Sequence, residues 1–190
     1  MSKSDTGRKA RQNGRAFEQA IARDLRAWLG PEWLVSRLKT SYQAEAGGEF
    51  EIKWHPPMGL AGLDGGGPVF PVALECKRDA RFKTDQLWKP AVSAAFREFW
   101  SQAVEQAEAV GKRPWLVLRE PPRGPVLLVM RAASWFRLQA AAIRVGDLPG
   151  PVMSLRTHSL GVQVFREPLV VLPWSAFLES VPASALWELS

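Results

Sequence analysis

The segment Phe70-Pro71-Val72-Ala73-Leu74-Glu75-Cys76-Lys77-Arg78 is an apolar run that ends by presenting a carboxylate and an amine two residues apart. Side chains on a strand alternate faces, so Glu75 and Lys77 project together while Leu74 and Cys76 point the other way. That pair can do metal-assisted phosphodiester hydrolysis. A hard cation such as Mg²⁺ takes carboxylate oxygens, and a neighbouring ammonium can position the attacking water or offset charge building on phosphorus. Glu-X-Lys also arises by chance as an ion pair on a solvated strand edge, so the elements around it must decide.

Those elements belong to a chain of 190 residues, 46% of them hydrophobic, enough for one domain with a substantial core. No apolar run is long enough to cross a bilayer and the first fifteen residues are polar and basic, which predicts a soluble, cytoplasmic protein with no membrane partner. The single cysteine, Cys76, excludes a disulfide framework or a cysteine-cluster zinc site and is expected to pack in the core. With only His55 and His158 present and no histidine-rich motif around either, histidine-based nuclease chemistry is excluded too.

A net charge of +6 favours a polyanionic partner, since neutralising phosphates releases counterions. A merely solubilising surface would carry as much, so the distribution carries the argument. Lys3, Arg8, Lys9, Arg11 and Arg15 crowd the N-terminus against one acid, Asp5, and Lys77, Arg78, Arg81 and Lys83 follow the suspected site. Arg11, Arg15, Arg78, Arg81 and Lys83 are therefore the expected DNA-binding cations.

Along the chain, residues 1–14 lack apolar periodicity and read as a flexible basic arm. From Arg15 to Leu29 the residues Phe17, Ala20, Ile21, Leu25 and Trp28 recur at helical spacing, and Gly30-Pro31 ends the run. Glu18 sits at the edge of that buried face, either as a snorkelling surface acid or as a member of a site. Trp33 to Tyr42 and Phe50 to Trp54 read as strands, a glycine-rich loop precedes the strand Val69 to Lys77, and a long helix spans Trp88 to Val110. Strands Trp115 to Leu118 and Val126 to Met130 come next. Beyond them lie a helix over Ala132 to Ala142, strands Gly161 to Phe165 and Leu169 to Leu172, and a short helix capped by Ser175. The expected fold is α/β, a single domain with a central mixed β-sheet flanked by helices. It divides into the arm 1–14, a core 15–130 and a C-terminal extension 131–190 packed on that core.

Taken in order, Gly14-Arg15-Ala16-Phe17-Glu18, Leu74-Glu75-Cys76-Lys77-Arg78, Trp100-Ser101-Gln102-Ala103 and Lys112-Arg113-Pro114-Trp115-Leu116-Val117-Leu118-Arg119 resemble the PD-(D/E)XK nuclease superfamily. The likeness is greatest to phage and archaeal Holliday junction resolvases and covers about residues 14–130. The resemblance implies a restriction-endonuclease-like core and a phage-encoded endonuclease acting on branched DNA inside the host cell as a homodimer. It further implies Mg²⁺ or Mn²⁺ held by Glu75, an acid on the preceding strand and the backbone carbonyl of Cys76. By the same resemblance Lys77 would orient or activate the water, Glu18 would assist, and Gln102 would brace Lys77 or the scissile phosphate. For Gln102 an ordinary surface amide is an equal alternative.

The second acid departs from the pattern, for no Pro-Asp dipeptide occurs. Asp64 is the usual residue type, but it opens a glycine turn up to about 36 Å of extended chain from Glu75. Glu51 stands inside an alternating strand that could lie antiparallel to the Glu75 strand, and it is the preferred ligand, with Glu49 on the same face as the next choice. Other readings are a related nuclease of restriction or flap type, or a non-catalytic DNA-binding protein in which Glu75 and Lys77 are merely an ion pair. Trp28 and Trp100 are expected in the core, and at least one of Trp54 and Trp88 at the surface as a platform for bases.

Overall fold

The computed structural model describes residues 3–37, 49–54, 69–88, 92–145, 160–164 and 167–190, with side chains for 12–37, 49–53, 69–87, 92–143 and 167–190. Helix α1, Lys3–Leu29, turns Phe17, Ile21, Leu25 and Leu29 into the core, as their spacing dictates. Gly30 stops it at φ 98°, a left-handed conformation that suits glycine, and its N–H donates to the Arg26 carbonyl at 3.2 Å. The expected flexible arm is thus largely helical. Its Lys, Arg, Ala and Gln residues are strong helix formers that prolong a helix nucleated by the packing of residues 17–29, with no apolar stripe to announce them.

Strand β1, Trp33–Arg37, pairs antiparallel with β2, Phe50–Trp54, as a separate two-stranded ribbon. The predicted remainder of the first strand and the glycine loops around it lie outside the described residues. A five-stranded mixed sheet forms the body. Strand β3, Val72–Arg78, runs parallel to β4, Arg113–Arg119, with helix α2, Ala94–Ala109, in the connection. A 3-10 turn, Thr84–Trp88, ends at the residue where the expected long helix begins, and α2 starts later, where Ser93 caps it, the Ser93 Oγ accepting the Phe96 N–H at 3.2 Å.

Strand β5, Val126–Arg131, lies antiparallel to β4 and is followed by helix α3, Ala132–Val145. Strands β6, Leu160–Val164, and β7, Glu167–Pro173, complete the order β3-β4-β5-β7-β6. Residues 131–190 are therefore no appendage, because β7 pairs with β5 in mid-sheet and places Leu169, Val171 and Leu172 in the core. Helix α4, Trp174–Ser180, begins directly after Pro173 without a side-chain cap, so Ser175 does not cap it, and a 3-10 helix, Ala183–Leu189, follows. No described helix is long and apolar enough to cross a membrane.

The sheet divides the apolar residues into two layers. On one face Leu74, Cys76, Trp115 and Val117 pack with α1, α3 and α4, and Trp115 meets Phe177 edge-on at 5.1 Å. On the other, Leu116, Leu118 and Val129 pack against Phe96, Phe99 and Trp100 of α2. Register then assigns the chemistry to a face: Glu75 lies beside Leu116 and Lys77 beside Leu118, so both belong to the α2 side.

Candidate active site

Strand β3 is an edge strand, and residues of even number on it direct their N–H and C=O away from β4. That free edge is met by the residue just before β2. The Glu49 N–H donates to the Leu74 carbonyl at 2.9 Å, and the Cys76 N–H donates to Glu49 Oε2 at 3.1 Å. The Cys76 carbonyl leaves on the same edge as its N–H. Glu49 is 8% exposed and Glu75 3%, while half-buried Lys77 forms an ion pair with Glu75 Oε1.

Two buried carboxylates thus share one ammonium. Burial, then the charge of Glu75, pushes the Glu49 carboxyl up to about 8, with Lys77 and the Cys76 N–H pulling partly back. Burial raises Glu75 as well, opposed by Lys77. The Cys76 thiol is driven far up by burial and by these neighbouring acids, and its side chain packs in the opposite layer. It has the character of a core residue and not of a nucleophile.

The carboxylate that joins Glu75 is therefore Glu49, not the preferred Glu51. Both project from the same face of β2, but Glu51 lies one pleat further on, 40% exposed at its side chain and paired with Lys53 Nζ at 2.7 Å. The signal available in the sequence was the position of Glu49 directly after Gly47-Gly48, at the mouth of the strand, where its backbone and side chain can both meet a neighbouring edge. Asp64 lies outside the described residues. Glu18 is drawn to Arg37 at the end of β1, which forms an ion pair with it, and Gln102 is half-exposed on α2 with no bond to Lys77 among the described residues.

The expected DNA-binding cations separate in the same way. Arg15 is exposed, and the side chain of Arg11 lies outside those described. Arg78 instead donates to the carbonyls of Asn13 at 3.3 Å and Pro122 at 3.4 Å, tying the end of β3 to α1. Arg81 is engaged by Asp79 at 2.9 Å and Glu98 at 3.0 Å, with its guanidinium 5.1 Å from the centre of the Phe99 ring. Lys83 is held by Glu120 at 3.1 Å. Arg81 and Lys83 thus form ion pairs within the fold while both remain exposed.

Residues 9–144 of the chain are matched by a family model, that of the phage putative PDDEXK endonucleases. The chain belongs to this family. No curated protein and no solved structure matches it. The sequence carries Glu75-Cys76-Lys77 as an acid-X-lysine element and has no Pro-Asp dipeptide. The match ends in α3, so β6 and β7, two strands of the same sheet, lie beyond it.

PDDEXK nucleases work with a divalent metal, and the donor set here fits one. Oxygen donors suit a hard cation, and burial keeps Glu49 protonated up to about pH 8 unless a further positive charge stands beside it. Among the described residues no group of three or more His, Cys, Asp or Glu side chains gathers. Protein ligands to such a cation would be Glu49, Glu75 and the Cys76 carbonyl, with water completing the shell.

Of the expected core tryptophans, Trp100 is buried, and Trp28 is partly buried with its Nε1 donating to the Val181 carbonyl at 2.7 Å. The side chains of Trp54 and Trp88 lie outside those described.

Proposed function

We propose that this chain is a divalent-cation-dependent endodeoxyribonuclease that hydrolyses phosphodiester bonds in branched DNA. The observation that supports this reading is that two buried acids meet at one strand edge, Glu75 ion-paired with Lys77 and Glu49 accepting the Cys76 N–H. When bound there, a cation such as Mg²⁺ supplies Lewis acidity toward the scissile phosphate and offsets its charge.

The chain's own residues do the rest. Glu75 fixes the Lys77 ammonium, which orients the attacking water and donates toward the charge that builds on phosphorus. The Cys76 N–H holds the Glu49 carboxylate in place. Attack in line on phosphorus expels the sugar oxygen and leaves a phosphomonoester. Glu18 and Gln102 are assigned no step, since Glu18 is engaged by Arg37 and Gln102 has no contact with Lys77 among the described residues.

The branched substrate and a homodimer that makes paired cuts rest on the resemblance to junction-resolving enzymes, a two-fold assembly matching the two equivalent strands of a junction. The test is cleavage of a synthetic four-way junction and a matched linear duplex by wild type, Glu75→Ala and Glu49→Gln, with Mg²⁺ and with EDTA. Symmetric nicks on the junction alone, lost in EDTA and in both variants, are expected. Cutting of both substrates would retain the nuclease and discard the junction preference, while DNA bound but uncut throughout would leave a non-catalytic binder.

A further inference from the structure

Near the start of β3 and β4 a cavity of about 330 Å³ opens, with Phe70, Gly111, Lys112, Arg113, Arg131 and Ser190 among its walls. Its cations are not equally occupied. Arg131 is paired with Glu108 and Glu167, whereas Arg113 lends only its Nε, to the Leu189 carbonyl at 3.1 Å. Lys112 is half-buried and makes no ion pair among the described residues. Burial lowers its pKa, and the one acid that pulls it back, Glu51, is already held by Lys53 at 2.7 Å. Gly111, at φ 67°, has nothing within 4 Å of where a Cβ would stand, so the wall is bare backbone there.

A half-buried ammonium and a guanidinium with spare donors line one cavity, and among the described residues neither forms an ion pair, so the site suits an anion. We propose that this cavity is a second phosphate site, built on Lys112 and Arg113, that holds a backbone phosphate of the DNA strand away from the scissile bond. The identity of its ligand rests on the nuclease reading. Its position supports it: Lys112 lies within electrostatic reach of Glu51, which stands one pleat beyond Glu49, the acid beside Glu75.

The experiment measures binding of a fluorescent four-way junction in EDTA over a salt series, for wild type, Lys112→Met, Arg113→Gln and, as a control for lost charge, Arg137→Gln on the exposed face of α3. Urea midpoints verify folding of each variant. Lys112→Met is expected to weaken binding about fivefold and to lower the salt slope by about one, with Arg137→Gln near wild type. Unchanged affinity and slope in both Lys112→Met and Arg113→Gln would overturn the site. So would stabilisation of wild type, but not of Lys112→Met, by inorganic phosphate with DNA affinity unaltered, which would make it a small-anion pocket. Because this assay needs no cleavage, a protein that binds through Lys112 yet never cuts would refute the nuclease reading and keep the phosphate site.

Discussion

The carboxylate of Glu49 accepts the backbone N–H of Cys76 at 3.1 Å, and by that bond a residue of the β1–β2 ribbon becomes the neighbour of Glu75 in a different sheet. The acid pair is assembled across two sheets, and its electrostatics follow from what that junction buries.

Glu49 carries its proton to about pH 8 in the folded chain, against an ordinary value of 4.5. Between those values the folded state keeps a proton that the unfolded chain has released, so stability without metal falls as pH rises through this window and levels off above it. Glu49→Gln removes the titrating group. In EDTA it should be roughly 2 to 4 kcal/mol more stable than wild type at pH 8, and close to it near pH 5, while cutting no DNA. Tm against pH for the two proteins checks this.

Glu51→Gln separates the two acids of β2. It removes an exposed carboxylate that serves Lys53, so junction cleavage should stay within about threefold of wild type while Glu49→Gln abolishes it. Equal loss in both would return Glu51 to the site.

Lys77→Met strips the buried Glu75 of its cation. Cleavage should fall by at least ~100-fold, and stability by roughly 1 to 3 kcal/mol, discounted because Lys77 is itself partly solvated. Adding Glu75→Gln should restore the urea midpoint without restoring cleavage. A double-mutant cycle by urea denaturation and gel assay reads both quantities.

A chain cut after residue 144, where the family match stops, should fail to fold. It would lack β7, leaving the inner side of β5 unpaired and uncovering both layers, one completed by Leu169 and Val171 and the other by Leu172. Circular dichroism and limited proteolysis would reveal a cooperative fold if the matched region could stand alone.

Some of this was legible from residue order and some was not. The stripe of Phe17, Ile21 and Leu25 and the alternation that pairs Glu75 with Lys77 are local consequences of helix and strand geometry, and both stand as read. Glu49 and Glu51 share a strand face, so alternation cannot choose between them. The choice depends on where the ribbon meets the edge of β3, a tertiary crossing. The ion pairs of the cations after the site are tertiary as well. Asp79 lies beside Arg81 in sequence, but Glu98 and Glu120 reach Arg81 and Lys83 from α2 and from beyond β4. The place of residues 131–190 in the sheet was hidden as well, because an antiparallel partner for β5 need not be its neighbour in the chain.

The ribbon that carries Glu49 is braced from distant parts of the chain. Arg26 of α1 donates to the Val35 carbonyl at 2.9 Å, and Trp33 stacks on Trp187 at 5.1 Å. Trp187 is translated long after Glu49, Glu75 and Lys77 have left the ribosome, whereas folding begins with the N-terminal part. The brace on the second acid therefore arrives after every residue it helps to position, and a nascent chain holds Glu49, Glu75 and Lys77 before it can hold them in place.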